Sequence, residues 1–234
     1  MEARAPALEN PPVVERNEQL YERNARAYVR HSQLNPMNAG YERPAMYALL
    51  GEVGGARVLD AGCAGGAYST HLAALGAQVI AVDCSAAMVE IVRSDCAQGI
   101  DARKHDLGEP MTWLGDGVID LVVSSLTLHY LRAWDVPLKE FFRVLRPGGR
   151  LLFSTHHPAM TAPLASSYFD TVLVRDIWDV CAERYQVHFY HRPLQAILSS
   201  VLGARFQLTA LHEPQLQHVP EQPWFLIVEA VRPV

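Results

Sequence analysis

The sequence predicts an α/β fold, a mostly parallel sheet of seven strands with helices on both faces. Three observations carry this reading. Near-continuous apolar runs, RVLDAG (57–62), QVIAVD (78–83) and VIDLVVSS (118–125), alternate with segments of helical spacing. Strands covered on both faces look this way. The first run ends in a glycine turn that leads straight into a helix. Arg146-Pro147-Gly148-Gly149 then stops a helix and opens another apolar run.

The elements follow in order. Residues 1–14 carry Pro6, Pro11 and Pro12 and are expected to form a flexible tail, with 15–234 as one domain. From Glu15 to about His31, Leu20, Tyr21, Asn24, Ala27, Tyr28 and His31 fall near one side of a helix. Tyr41 to Leu50 suggests a second helix, ended by Gly51. Together these N-terminal helices, 15–50, are expected to act as a lid. Ala67 to Leu75 is helical, with Gly76 at its C-cap. Ser85 suits the N-cap of a helix reaching about Ser94. GIDARKHD (99–106) holds a weak third strand, and Trp134 to Leu145 a helix. RLLFSTHH (150–157) is the fifth strand. Residues 158–192 break the rhythm with YFDTVLVRD and ERYQVHFY, and are expected to form a small cap inserted after strand five. Leu194 to Leu202 is a helix. RFQLTALHE and PWFLIVEAV supply the last two strands as an antiparallel pair.

Composition narrows the function classes. The formal net charge is -5 with no basic run, which argues against a duplex nucleic-acid partner. No stretch approaches the roughly 18 apolar residues of a membrane span. The N-terminus lacks the apolar core of a signal peptide, so a cytoplasmic location is expected. Cys63, Cys84, Cys96 and Cys181 match no metal spacing and read as free thiols, with no metal expected.

The segment VLDAGCAGG (58–66) carries the chemistry. A glycine turn between strand and helix lets backbone approach a ligand closely. Alone, it also fits a dinucleotide site, although Ala64 breaks the full G-x-G-x-x-G spacing. Asp60 and Asp83 end the first two strands. A carboxylate at Asp83 can accept hydrogen bonds from both hydroxyls of a ribose.

With VIAVDCSAAMVE, HDL, IDLVVSSLTLHYL and FFRVLRPGGRLLFSTHHP, the chain resembles a class I S-adenosylmethionine-dependent methyltransferase of the small-molecule type, over roughly residues 18–158. The resemblance implies a Rossmann-like fold and S-adenosyl-L-methionine as cofactor. It implies that the turn at Asp60, Gly62 and Gly65 holds the methionine part, and that Asp83 meets the ribose. Cys84 and Met88 match positions beside the adenine, and Asp106 with Leu107 the place that receives its amino group. Ser124 and Ser125 match the fourth-strand end near the cofactor's centre. Tyr21 and Tyr28 match the helix that closes over it. The family commonly has glycine where this chain has Ala64; the reading expects a normal turn there, or a slightly shifted cofactor.

Methyl transfer from a sulfonium needs the two reactants held close, and in some cases a base. His129, His156, His157, His188 and His191 are the candidates. His157 lies at the carboxyl end of strand five and His191 between the cap and the last helix, so these two are expected to face the acceptor. Tyr168, Phe169, Trp178, Tyr185, Phe189 and Tyr190, with Met160, either line an apolar acceptor pocket or pack the cap. The expected activity is methylation of a hydroxyl or amine on a small aromatic or apolar molecule. The competing readings are a non-catalytic binding protein on the same fold and a nicotinamide-dependent oxidoreductase.

Overall fold

A computed structural model describes residues 17, 19–96, 98–215 and 222–234. The expected tail, 1–14, lies outside them. The sheet holds β1 (Arg57–Ala61), β2 (Gln78–Asp83), β3 (Asp101–Lys104), β4 (Ile119–Ser124), β5 (Leu145–His156), β8 (Gln207–His212) and β9 (Phe225–Val231), in the order β3-β2-β1-β4-β5-β9-β8. β9 is antiparallel to both β5 and β8, and the remaining pairs are parallel. This is the Rossmann-like arrangement expected from the sequence.

The apolar runs are continuous because both faces are covered. Leu59, Val122, Leu151 and Phe153 pack to one side, under helices α5 (Asp135–Val144) and α6 (Leu194–Gly203). Their neighbours Val58, Leu121, Val123 and Leu152 point the other way, under α2 (Arg43–Ala48) and α3 (Ala67–Ala74). Strand side chains alternate between faces, so each strand feeds two cores. Helix α4 (Ala86–Asp95) covers β2 and β3 on the α3 side. The third strand is weak in sequence because only Ala102 of its four residues is buried.

Two elements depart from expectation. The helix expected over 15–31 is a wide turn, Gln19–Arg23, followed by α1 (Ala25–Leu34). The turn is drawn toward β2: Ser85 Oγ donates to the Tyr21 carbonyl at 2.8 Å, and the Glu22 carboxylate accepts from the Ala87 amide at 3.2 Å. Glu22 thereby sits at the positive end of α4. The second helix begins only at Arg43, after a wide turn over Pro36–Glu42.

The cap is a hairpin of β6 (Val172–Val180) and β7 (Glu183–His191), outside the main sheet. Cys181 and Ala182 form its two-residue loop with φ of 51° and 68°, the doubly left-handed turn that such loops favour. An isolated hairpin is marginal in water. This one packs Val174, Val187 and Phe189 against Leu20, Tyr21 and Tyr28 of the N-terminal segment. Asn17 adds a pair of side-chain bonds to the His188 backbone, at 2.8 and 2.9 Å.

Candidate active site

A cavity of about 450 Å³ opens at the carboxyl ends of β1 to β4, under the N-terminal segment. That volume suits one small ligand or cofactor. Open α/β sheets bind ligands at this edge.

The glycine turn forms its floor. The Gly62 and Cys63 amides both donate to the Val82 carbonyl, at 2.8 and 2.9 Å, so the turn is locked to β2. Ala64 has φ 44°, which corrects the expectation of a normal turn. The left-handed conformation aims the Ala64 amide at Asp83 Oδ2, 2.9 Å away. Alanine tolerates this at a cost of about 1–2 kcal/mol.

Asp83 lines the cavity and also accepts from the Ser85 amide at 2.9 Å. Burial raises its pKa, and those two amides oppose the shift. Asp106 lines the cavity two residues after β3, its Oδ1 taking the Gly108 amide at 2.8 Å. Cys84, Met88 and Leu107 give the space between the two acids an apolar wall. Burial pushes the Cys84 thiol up to about 12, with Asp83 adding to it, so this is a packing thiol and not a nucleophile. Gly62, Gly65, Tyr21 and Tyr28 also line the space. The Tyr21 and Tyr130 hydroxyls hydrogen-bond across it, tying the lid to the turn after β4.

Asp60 and Ser124 do not reach the cavity. Asp60 is buried behind the turn, where its Oδ2 accepts from Ser69 Oγ at 2.5 Å. Ser124 donates back to the Ala61 carbonyl at 2.8 Å, and Ser125 faces the cavity instead. Both residues brace the turn from below.

The expected acceptor histidines are also engaged elsewhere. His157 Nδ1 accepts from the Ala159 amide at 3.0 Å, capping the helical turn Pro158–Thr161, and its Nε2 meets Glu213 at 2.8 Å. His191 is buried between Thr161 Oγ1 (2.6 Å) and the Tyr168 carbonyl (3.0 Å). Neither lines the cavity. Replacing His157 with Ala is expected to cost about 1 kcal/mol of stability through the lost cap. Thermal unfolding reads that loss, and the cofactor's dissociation constant should not move.

Several site residues carry no signal in the sequence. Glu42, Arg43 and Thr127 all line the cavity. His129 and His156 stack under the cap with ring centroids 3.9 Å apart. Among the described residues, both ring nitrogens of His129 and the Nδ1 of His156 have no hydrogen-bond partner. Burial lowers both imidazoles, His156 to about 3, so the pair is neutral near pH 7. Of the cap aromatics, Tyr185 and Phe189 are packed inside while Phe169 is 83% exposed. None of the six lines the described cavity.

The lining fits an adenosine derivative: two carboxylates to accept from hydroxyl and amino donors, flanked by apolar side chains. Comparison with known proteins agrees. A methyltransferase domain family matches residues 59–153. A methyltransferase from Mesorhizobium loti, described as dependent on S-adenosylmethionine, superposes with a TM-score of 0.68 and is 27% identical, covering 82% of this chain and 97% of that one. A Listeria monocytogenes structure, 24% identical over 84% of this chain and 99% of its own, shares the fold at a TM-score of 0.73. A malonyl-[acyl-carrier protein] O-methyltransferase of Yersinia pestis is 34% identical over 69% of this chain and 56% of its own length. A ubiquinone biosynthesis O-methyltransferase of Xanthomonas oryzae pv. oryzae is 32% identical over 52% of this chain and 50% of its own. The match thus spans about half the length of these curated O-methyltransferases. The chain belongs to the class I S-adenosylmethionine-dependent methyltransferases. Its cofactor is S-adenosylmethionine.

Proposed function

We propose that this chain transfers a methyl group from S-adenosylmethionine to an oxygen of a small, largely apolar acceptor. The observation that carries the reading is the cavity beyond β1 to β4, with Asp83 and Asp106 on its wall and the glycine turn as its floor. Two O-methyltransferases among the relatives favour oxygen over nitrogen.

Bound there, S-adenosylmethionine supplies a methyl group on positively charged sulfur, which leaves as a neutral thioether and needs no acid. The chain's own part is to bind, orient and exclude water. Asp83 takes the ribose hydroxyls and Asp106 the adenine amino group, with Cys84, Met88 and Leu107 along the base. Gly62 and Gly65 allow close approach of backbone. Tyr21 and Tyr28 shut the lid, held by the Tyr21–Tyr130 hydroxyl contact. His157 and His191 hold the cap in place, since their ring nitrogens already have partners. An apolar acceptor is favoured by Leu126, Tyr130 and Leu131, which line the cavity just beyond β4. Among the described residues, no helix is long and apolar enough to cross a membrane.

The test is turnover. The protein is incubated with S-adenosylmethionine and matched panels of apolar phenols, enols, carboxylic acids and amines. Mass spectrometry follows S-adenosylhomocysteine and methylated product. Oxygen-methylated product is expected. Methylation of amines alone would sink the oxygen assignment. Cofactor binding with no turnover across the panel would favour a binding protein.

A further inference from the structure

Three polar side chains outside the cofactor cavity are almost wholly buried under the cap. His129 lies in the short turn Leu128–Tyr130 after β4, His156 is the last residue of β5, and Arg192 follows β7. They are 2%, 8% and 6% exposed. Phe189 of the cap meets both imidazoles edge-on, with ring centroids 5.8 and 4.6 Å away. Arg192 Nη2 donates to the Leu131 and Arg132 carbonyls, at 3.3 and 2.6 Å, and the guanidinium carbon sits 4.2 Å from the centre of the Trp134 ring. Its Nη1 is buried without a partner among the described residues, as are both nitrogens of His129 and Nδ1 of His156.

Burial lowers the guanidinium to about 10, with Tyr190 and Asp135 opposing the shift, so Arg192 is still charged at pH 7. Among the described residues it makes no ion pair. A buried cation is costly without a counter-ion, and two carbonyls and a ring face offset only part of that cost. Burial holds the His129 imidazole down, and His156 and then Arg192 push it the same way, so Arg192 and His129 feel each other's charge. A neutral imidazole carries one N–H whichever tautomer it adopts. The cluster therefore offers a cation and spare donors, and the missing partner is an anion. Its place suits the acceptor and not the cofactor. Asp83 and Asp106 follow β2 and β3, whereas these groups gather at the ends of β4 and β5, which are neighbours in the sheet. None of the three lines the cavity, but Tyr130, next to His129, and Leu131, whose carbonyl Arg192 holds, both do.

We propose that Arg192, with His129 beside it, anchors a carboxylate of the acceptor, which is therefore an apolar hydroxy acid. The inference rests on the methyl-transfer reading and narrows its acceptor. Arg192 Nη1 and the His129 N–H donate to the carboxylate, which passes beyond Tyr130 and Leu131 to reach them. The apolar body lies along Leu126, Tyr130 and Leu131. A carboxylate paired with a guanidinium has its charge and lone pairs engaged, so it is the anchor and not the nucleophile. The hydroxyl oxygen of the acceptor bonds the methyl carbon as the carbon–sulfur bond breaks. The sulfur keeps that electron pair as a thioether, and the hydroxyl proton passes to bulk water. His156, stacked within 13° of parallel on His129, is a positioning residue that holds the His129 ring.

The experiment is a binding comparison that needs no turnover. Isothermal titration is run on protein saturated with S-adenosylhomocysteine, in buffer free of chloride and phosphate. The probes are para-hydroxyphenylpropanoate, its neutral amide and inorganic phosphate. The variants are Arg192→Gln, Arg192→Lys and His129→Phe, each checked for native thermal unfolding. Wild type should bind the carboxylate about 10-fold or more tighter than the amide. Arg192→Gln should lower the carboxylate's affinity by about 10- to 100-fold and leave the amide's unchanged. Arg192→Lys keeps the charge without the planar fork and should recover part of the loss. His129→Phe keeps a stacking ring without the nitrogens and should weaken the carboxylate by about 10-fold. A purely structural His129 would instead give unchanged binding in that variant. If the arginine variants do not fold, His129→Phe decides. Equal affinity of wild type for carboxylate and amide, a preference that survives the substitutions, or binding of phosphate alone would overturn the anchor. Those results would leave the methyl-transfer reading intact. A wild-type protein that bound no S-adenosylhomocysteine would overturn both.

Discussion

Gly62→Ala is expected to destabilise the protein by about 2–5 kcal/mol. Gly62 has φ 88°, where an L-residue pays about 1–2 kcal/mol. A Cβ there would lie 2.1 Å from Thr127 Oγ1 and 2.3 Å from its Cγ2. Neither side yields easily. The turn is fixed by two amides on the Val82 carbonyl, and Thr127 Oγ1 donates to the Ser125 carbonyl at 2.9 Å. Overpacking of this kind adds about 1–3 kcal/mol. For a chain of this size the melting temperature should fall by roughly 5–20 °C. Gly40→Ala is the control, because nothing lies within 4 Å of its added Cβ. Equal melting of the Gly62 variant and wild type would mean that the turn is not built this way.

Asp60→Asn should change the pH dependence of stability by up to about 4 kcal/mol. Asp60 is 1% exposed, and burial pushes its carboxyl up to about 7. Ser69 opposes that shift and Asp83 adds to it. In the unfolded chain the carboxyl titrates near 4. Between about pH 4 and 7 the native state therefore holds a proton that the unfolded state has lost. The contribution of Asp60 to stability is full below pH 4 and declines by about 1.4 kcal/mol per pH unit until it levels off above 7. Asparagine has no such dependence and still accepts from Ser69. Urea unfolding at pH 4.5, 5.5, 7 and 8 should show the variant gaining on wild type as pH rises. A constant difference would place Asp60 in a solvated or cation-paired setting.

The sequence made visible what is local and repetitive. Strands β1, β2 and β4 announce themselves as apolar runs because alternate residues enter two different cores. The Pro147-Gly148-Gly149 stop is equally plain, although β5 already begins at Leu145, pairing with Ile119 before a register shift. The glycine turn and Asp83 needed only a strand end and a short motif. What escaped is set by distant partners. Glu42 is a site residue because of Tyr68, Ser125 and Ser154, which lie 26, 83 and 112 residues away. No periodicity around Pro36–Glu42 encodes that. The histidines at the end of β5 show the same limit. Strand alternation separates His156 from His157, but only the folded cap reveals that His156 stacks on His129 while His157 turns to Glu213. The break at Asn24 has a tertiary cause too, since Ser85 and Ala87 pull the preceding turn toward β2.

The central claim is that the cavity beyond β1 to β4 is an S-adenosylmethionine site with Asp83 on the ribose. Calorimetric titration of S-adenosylmethionine and NAD into wild type and Asp83→Ala tests it most directly. Wild type should bind S-adenosylmethionine and give no comparable NAD signal. Asp83→Ala should weaken S-adenosylmethionine binding by about 1.5–3 kcal/mol, the usual loss for a hydrogen-bonded charged group. Tight NAD binding without S-adenosylmethionine, or an unchanged dissociation constant in the Asp83 variant, would contradict it.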